Sequence, residues 1–171
     1  MLRQLKNLFF SVQTYNDLSP DIEMRRVVNH GLYCRRSLTL QQWFESFWQP
    51  RAIAAPVVAF VYDRLKAYSG VEMARVWPGD RLDADLKFSL ICWFDWQLNL
   101  CEDFQQQFGG DAIDPLAIYN LDTVEELVVF LNSQFDKHLS GNRERKRYRS
   151  PRQPSTENAP ESSPEQEREQ E

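Results

Sequence analysis

Wound as an α-helix, the stretch from Leu86 to Phe108 turns an apolar arc of roughly 220° outward, about twice the stripe an ordinary surface helix needs. At roughly 100° per residue, that arc runs from Trp96 through Leu100, Trp93, Phe104, Leu90, Cys101, Phe94 and Leu98 to Ile91. Such a helix must be covered on two sides, by the rest of the chain or by another molecule. Trp43, Phe44, Phe47 and Trp48 supply an apolar face of similar size, so the favoured expectation is that residues 1–50 cover Trp93, Trp96 and Leu100. The alternative is a protein partner that takes Trp93 and Trp96 as its contact.

The remaining start and stop signals are mostly helical. Thr39 and Gln42 form a capping box ahead of Leu40, Trp43, Phe44 and Phe47, which recur at helical spacing until Pro50 stops them. Pro56 opens the next helix, whose face of Val57, Phe60, Val61, Leu65 and Tyr68 ends at Gly70. Gly109-Gly110 closes the long helix, and Asp114-Pro115 starts a turn or short helix through Tyr119. Asp122 or Thr123 caps a last helix with Val124, Leu127, Val128 and Leu131 inward. Residues 22–36 stay open: Ser19-Pro20 and Gly31 bracket a helix, but Val27-Val28 and Leu32-Tyr33 around Asn29-His30-Gly31 equally fit a hairpin. The fold expected is all-α: a helical bundle over residues 51–140, with an aromatic-rich helical extension over 1–50 and a tail over 141–171.

The order of landmarks from Val57 to Leu131 resembles an acyl carrier protein. A first helix closes on Gly70-Val71, a loop carries Pro78-Gly79-Asp80-Arg81-Leu82, Asp85-Leu86 follows, a second helix ends Glu102-Asp103-Phe104, and the series finishes on Thr123-Val124-Glu125-Glu126-Leu127. The resemblance covers a little under half of the chain and implies a four-helix bundle. In the ungapped register, the serine that would carry phosphopantetheine is replaced by Leu90, which has no hydroxyl for the phosphodiester. A one-residue slip would put Ser89 there, at the cost of rotating every side chain by roughly 100°. The leading expectation is therefore a carrier-like scaffold without cofactor. Phosphopantetheine on Ser89, in a working acyl or aminoacyl carrier, is the runner-up. Carriers present their second helix to basic partners, which implies Asp95, Glu102 and Asp103 as contacts beside Trp93 and Trp96.

The chain of 171 residues carries a net charge of −5. Beyond Gly141 almost nothing is apolar, and prolines recur, so the tail is expected to be disordered. Its charge is sorted into a basic block around Arg143, Arg145, Lys146, Arg147 and Arg149 and an acidic block from Glu157 to Glu171. The basic block suits nucleic acid or an anionic membrane, a third reading that the acidic block and the acidic body oppose. Leu2, Leu5, Phe9 and Val12 make an apolar stripe with Arg3 and Lys6 off it, a short amphipathic helix that packs on its own domain or touches a membrane surface.

Catalytic chemistry is hard to assemble. His30 and His138 lie far apart in the sequence and in no recognisable catalytic setting. His30 and Cys34 have helical ligand spacing, but a closed zinc site needs four ligands and no second pair is evident. Gly109-Gly110 lacks the spacing of a phosphate loop, and Asp83, Asp85, Asp95, Glu102 and Asp103 fit a solvated face. Cys34, Cys92 and Cys101 form no CxxC pair and suggest thiols in a reducing compartment. With neither a long apolar span nor a secretory signal in the sequence, the expectation is a cytoplasmic, non-enzymatic interaction module.

Overall fold

The computed structural model describes residues 20–149, and side chains to residue 141. Seven helices follow one another: α1 Ile22–Leu32, α2 Leu40–Trp43, α3 Ala55–Ser69, α4 Phe88–Ile91, α5 Trp96–Phe108, α6 Pro115–Tyr119 and α7 Val124–Arg149. No strand occurs among the described residues; an isolated antiparallel bridge joins Arg81 to Thr123. The protein is all-α.

Local chemistry explains most boundaries. Residues 22–32 are helical and not a hairpin, because the Asp21 side chain accepts the Met24 N–H at 2.9 Å and starts the helix. Gly31 lies inside α1 instead of closing it. The Thr39–Gln42 capping box forms as expected. Past Trp43 the chain does not continue as α-helix: Phe44–Trp48 is a π-helical turn, and Gln49–Arg51 a 3-10 turn that accommodates Pro50. Helix α3 carries Pro56 in its first turn and ends at Gly70, whose φ of 67° is left-handed. A Cβ there would also meet the Arg25 side chain at 2.8 Å. At α7, Thr123 Oγ1 accepts the Glu126 N–H at 3.2 Å while the Glu126 carboxylate accepts from Asp122 and Thr123, so Thr123 is the cap.

The core combines α3, α5 and α7 with the aromatic turn after α2. Val57, Val61, Leu65, Val124, Leu127, Val128 and Leu131 are fully buried. Trp43 and Trp48 meet edge to face at 5.1 Å, Tyr62 closes on Trp43 at 5.4 Å, and the Trp43 indole N–H donates to the Val76 carbonyl at 2.7 Å. A chain of rings, Phe60, Phe104, Phe108 and Phe135, links α3, α5 and α7.

The single long helix expected over Leu86–Phe108 is two helices, α4 and α5, separated at Cys92–Asp95. The over-wide arc was the sum of two narrower stripes on segments of different direction. Trp96 and Leu100 are buried. Trp96 packs on Phe88 at 5.2 Å, whereas Trp43 and Trp48 pack on each other. Residues 43–48 therefore do not form the expected cover over Trp93, which is 51% exposed.

Helix α1 is tied to the long connection between α3 and α4. Asn29 donates to the Gly70 carbonyl at 3.0 Å and accepts the Glu72 N–H at 2.9 Å. Arg25 reaches the Ile91 carbonyl at 3.2 Å, and the Leu38 N–H reaches the Ala74 carbonyl at 2.7 Å. Arg35 pairs with the buried Asp80 at 2.6 Å; the same carboxylate oxygen accepts the Trp77 N–H at 2.7 Å. At the other end, α7 passes through Gly141 to Arg149 without a break, so the start of the segment expected to be disordered is helical. Arg, Glu and Lys are good helix formers and prolong a helix already nucleated by its packed half. Residues 150–171, and the stripe of Leu2, Leu5, Phe9 and Val12, lie outside the described residues.

Candidate docking face at the break between α4 and α5

A four-residue helix has no intrinsic reason to persist, so α4 depends on its surroundings. Lys87 enters it with a left-handed φ of 56°, and the Ser89 N–H is held by the Asp83 carboxylate at 2.9 Å. Its last carbonyls, those of Leu90 and Ile91, are satisfied by the Asp21 N–H at 2.9 Å and the Arg25 guanidinium at 3.2 Å. The first turn of α1 thus caps α4. Cys92 then runs extended, and a turn closed by Trp96 N–H to the Trp93 carbonyl at 3.1 Å starts α5.

This break sorts the apolar side chains. Phe88, Ile91, Cys92, Trp96, Leu100, Cys101 and Phe104 go inward, while Leu90, Trp93, Phe94 and Leu98 stay outside at 45% to 69% exposure. Four large apolar groups so close together on a surface are the usual sign of a contact site. Trp93 lies with that exposed group, 51% open, and not under the cover that was the favoured expectation. Trp96 does not, because the turn at 93–96 sends it into the core beside Phe88.

The expected acidic contacts also separate. Glu102 is exposed and Asp95, at the cap position of α5, half-buried. Asp103 is engaged internally, accepting from the Tyr68 hydroxyl and pairing with Arg64 at 3.2 Å. Burial, and then the hydrogen bond to Asp103, pushes the Tyr68 hydroxyl up. Ser89 and Leu90 are both exposed on α4. Beside them a groove of about 320 Å³ runs between α1 and residues 84–87, lined by Met24, Val28, Leu32, Arg35, Leu86 and Lys87 among others. Arg143, Arg145, Lys146, Arg147 and Arg149 fall in the last turns of α7, beyond the described side chains.

Among the described residues, no group of three or more His, Cys, Asp or Glu could hold a metal ion, and no helix is long and apolar enough to cross a membrane. Cys34 follows α1 with its thiol directed at the Gly31 carbonyl at 3.5 Å, while His30 is exposed. Burial pushes the Cys92 thiol up to about 12 and that of Cys101 to about 11, so neither is an activated nucleophile.

Leu90, Phe94 and Leu98 were missed as surface residues because, in one continuous helix, they fall within a stripe that demands burial. The width of that stripe was itself a signal of a break, although Asp95, at the cap position of α5, makes no side-chain capping hydrogen bond that would fix its place. No protein-family model, curated protein or solved structure matches the chain. The carrier resemblance therefore rests on the residues quoted for it.

Proposed function

We propose that this protein is a non-catalytic interaction module, built on a carrier-like helical scaffold, which binds a protein partner through the face at the α4–α5 break. The observation that carries this reading is the outward placement of Leu90, Trp93, Phe94 and Leu98 beside a filled aromatic core. An exposed tryptophan next to a phenylalanine is the kind of anchor that dominates binding energy at interfaces. The acidic Glu102 and Asp95 nearby suit a partner with a basic rim. The test is recovery of partners from native cells with full-length wild type and with Trp93→Ala/Phe94→Ala. The double variant is expected to keep its fold by circular dichroism and lose the partner. Retention of the same partner by a folded variant overturns the reading.

A carrier function keeps one specific support: Ser89 is exposed near the start of α4. Co-expression with a broad-specificity phosphopantetheinyl transferase separates the two. An unmodified intact mass favours the interaction module, whereas a mass gain abolished by Ser89→Ala makes the protein a carrier.

A further inference from the structure

The described chain begins at the edge of this same face. Asp21, one residue after the first described position, donates its N–H to the Leu90 carbonyl at 2.9 Å, and Ile22 beside it is 59% exposed. Residues 1–19 therefore join the fold at the rim of the patch. Their sequence carries Leu2, Leu5, Phe9 and Val12 at helical spacing, with Arg3 and Lys6 off that stripe and Asp17 as the acidic residue. The rim of the patch carries Asp83 and Glu102, both exposed, and the half-buried Asp95. Lys87 and Arg25 lie on the same rim, both half-buried, and the Arg25 guanidinium is engaged by the Ile91 carbonyl.

We propose that residues 1–19 of this chain occupy the Leu90–Leu98 face, laying their apolar stripe on Leu90, Trp93, Phe94 and Leu98 and turning Arg3 and Lys6 toward the rim carboxylates. The proposal rests on the reading of this face as a docking surface and adds its regulation: the segment is an internal competitor that a partner must displace. Reach is not limiting. The residues from Val12 to Pro20 span up to about 26 Å when extended, at roughly 3.3 Å each. A tether that short raises the local concentration of the stripe to the millimolar range, enough for a modest apolar contact to be mostly closed.

The experiment uses full-length protein. Wild type and Leu5→Asp/Phe9→Asp are compared by acrylamide quenching of tryptophan fluorescence, each also with Trp93→Phe. The double variant is expected to gain quenching, and the gain to vanish with Trp93→Phe. A synthetic peptide of residues 1–19 is expected to bind the double variant roughly ten-fold or more tighter than wild type, whose own segment competes. Equal quenching of wild type and double variant overturns the proposal. So do photo-cross-links from a benzophenone in place of Phe9 that join two chains, which would put a second copy on the face. Retention on anionic-lipid vesicles lost in Leu5→Asp/Phe9→Asp, with quenching unchanged, overturns it in favour of a membrane. Failure here leaves the interaction reading untouched, since that reading is judged by partner recovery with Trp93→Ala/Phe94→Ala. Retention of the partner by that variant removes the competitor role even where quenching shows the face covered.

Discussion

Trp43 and Trp48 are sealed from solvent while Trp93 is half exposed, although each recurs with apolar neighbours at helical spacing. The difference lies in the backbone. In a continuous α-helix, residues five apart point roughly 140° away from each other. The π-helical turn at Phe44–Trp48 holds more residues per turn and brings Trp43 and Trp48 onto one side, where their rings meet. At Cys92–Asp95 the opposite happens: the helix stops, and Trp93 and Trp96, three apart, leave in different directions. An irregularity of a few residues decides whether an aromatic side chain becomes core or contact surface.

Substitutions at these positions test the contrast directly. Trp48→Ala is expected to cost the most, about 3 to 5 kcal/mol by denaturant unfolding, as a fully buried ring next to Trp43. A loss under about 1 kcal/mol would mean that the π turn does not hold its two tryptophans in the core. Trp96→Ala should fall somewhat lower, about 3 kcal/mol, because it is 5% exposed at the end of the core and loses its contact with Phe88. A loss no larger than that of Trp93→Ala would restore the shared stripe of a continuous helix and erase the break. In the Leu5→Asp/Phe9→Asp background, where the face is uncovered, Trp93→Ala is expected to change stability by no more than about 0.5 kcal/mol, the ordinary range for a surface position. A larger loss in the wild-type background is the mark of Trp93 covered by residues 1–19, and equally small losses in both backgrounds would show the face open at rest.

Much of the helical plan was legible because it is written in short-range chemistry. The Thr39–Gln42 box, Pro56, Gly70, Gly109 and the cap at Thr123 each act within a turn of the backbone they control. The inward set on α7 follows from its period alone. The docking face was only half legible. Trp93 could be singled out as an aromatic without an assured place, but the break that frees it is held by Asp21, Arg25 and Asp83, groups up to 69 residues away in sequence. No glycine or proline marks it. The same holds for Arg35 and Asp80, whose pairing depends on α1 lying against the loop. The carrier resemblance puts Asp103 outward as a partner contact, and only the position of Tyr68 and Arg64 on α3 turns it to internal use.

The ties between α1 and residues 70–91 carry a dynamic consequence. That stretch has a 3-10 turn and the short α4 as its own regular structure, so it is fixed from two sides: by Asn29, Arg35, Asp21 and Arg25, and by the buried Val76, Leu82, Leu86 and Phe88 with the Leu82 N–H on the Asp122 carbonyl. Helix α1, which buries only Val28 and Leu32, should accordingly open more readily than this connection, whose apolar side chains belong to the core. A molecule that grips the start of α1 would then also set how often Ser89, Leu90 and Trp93 are held in register, linking the chain's first turn to its most exposed face through local unfolding.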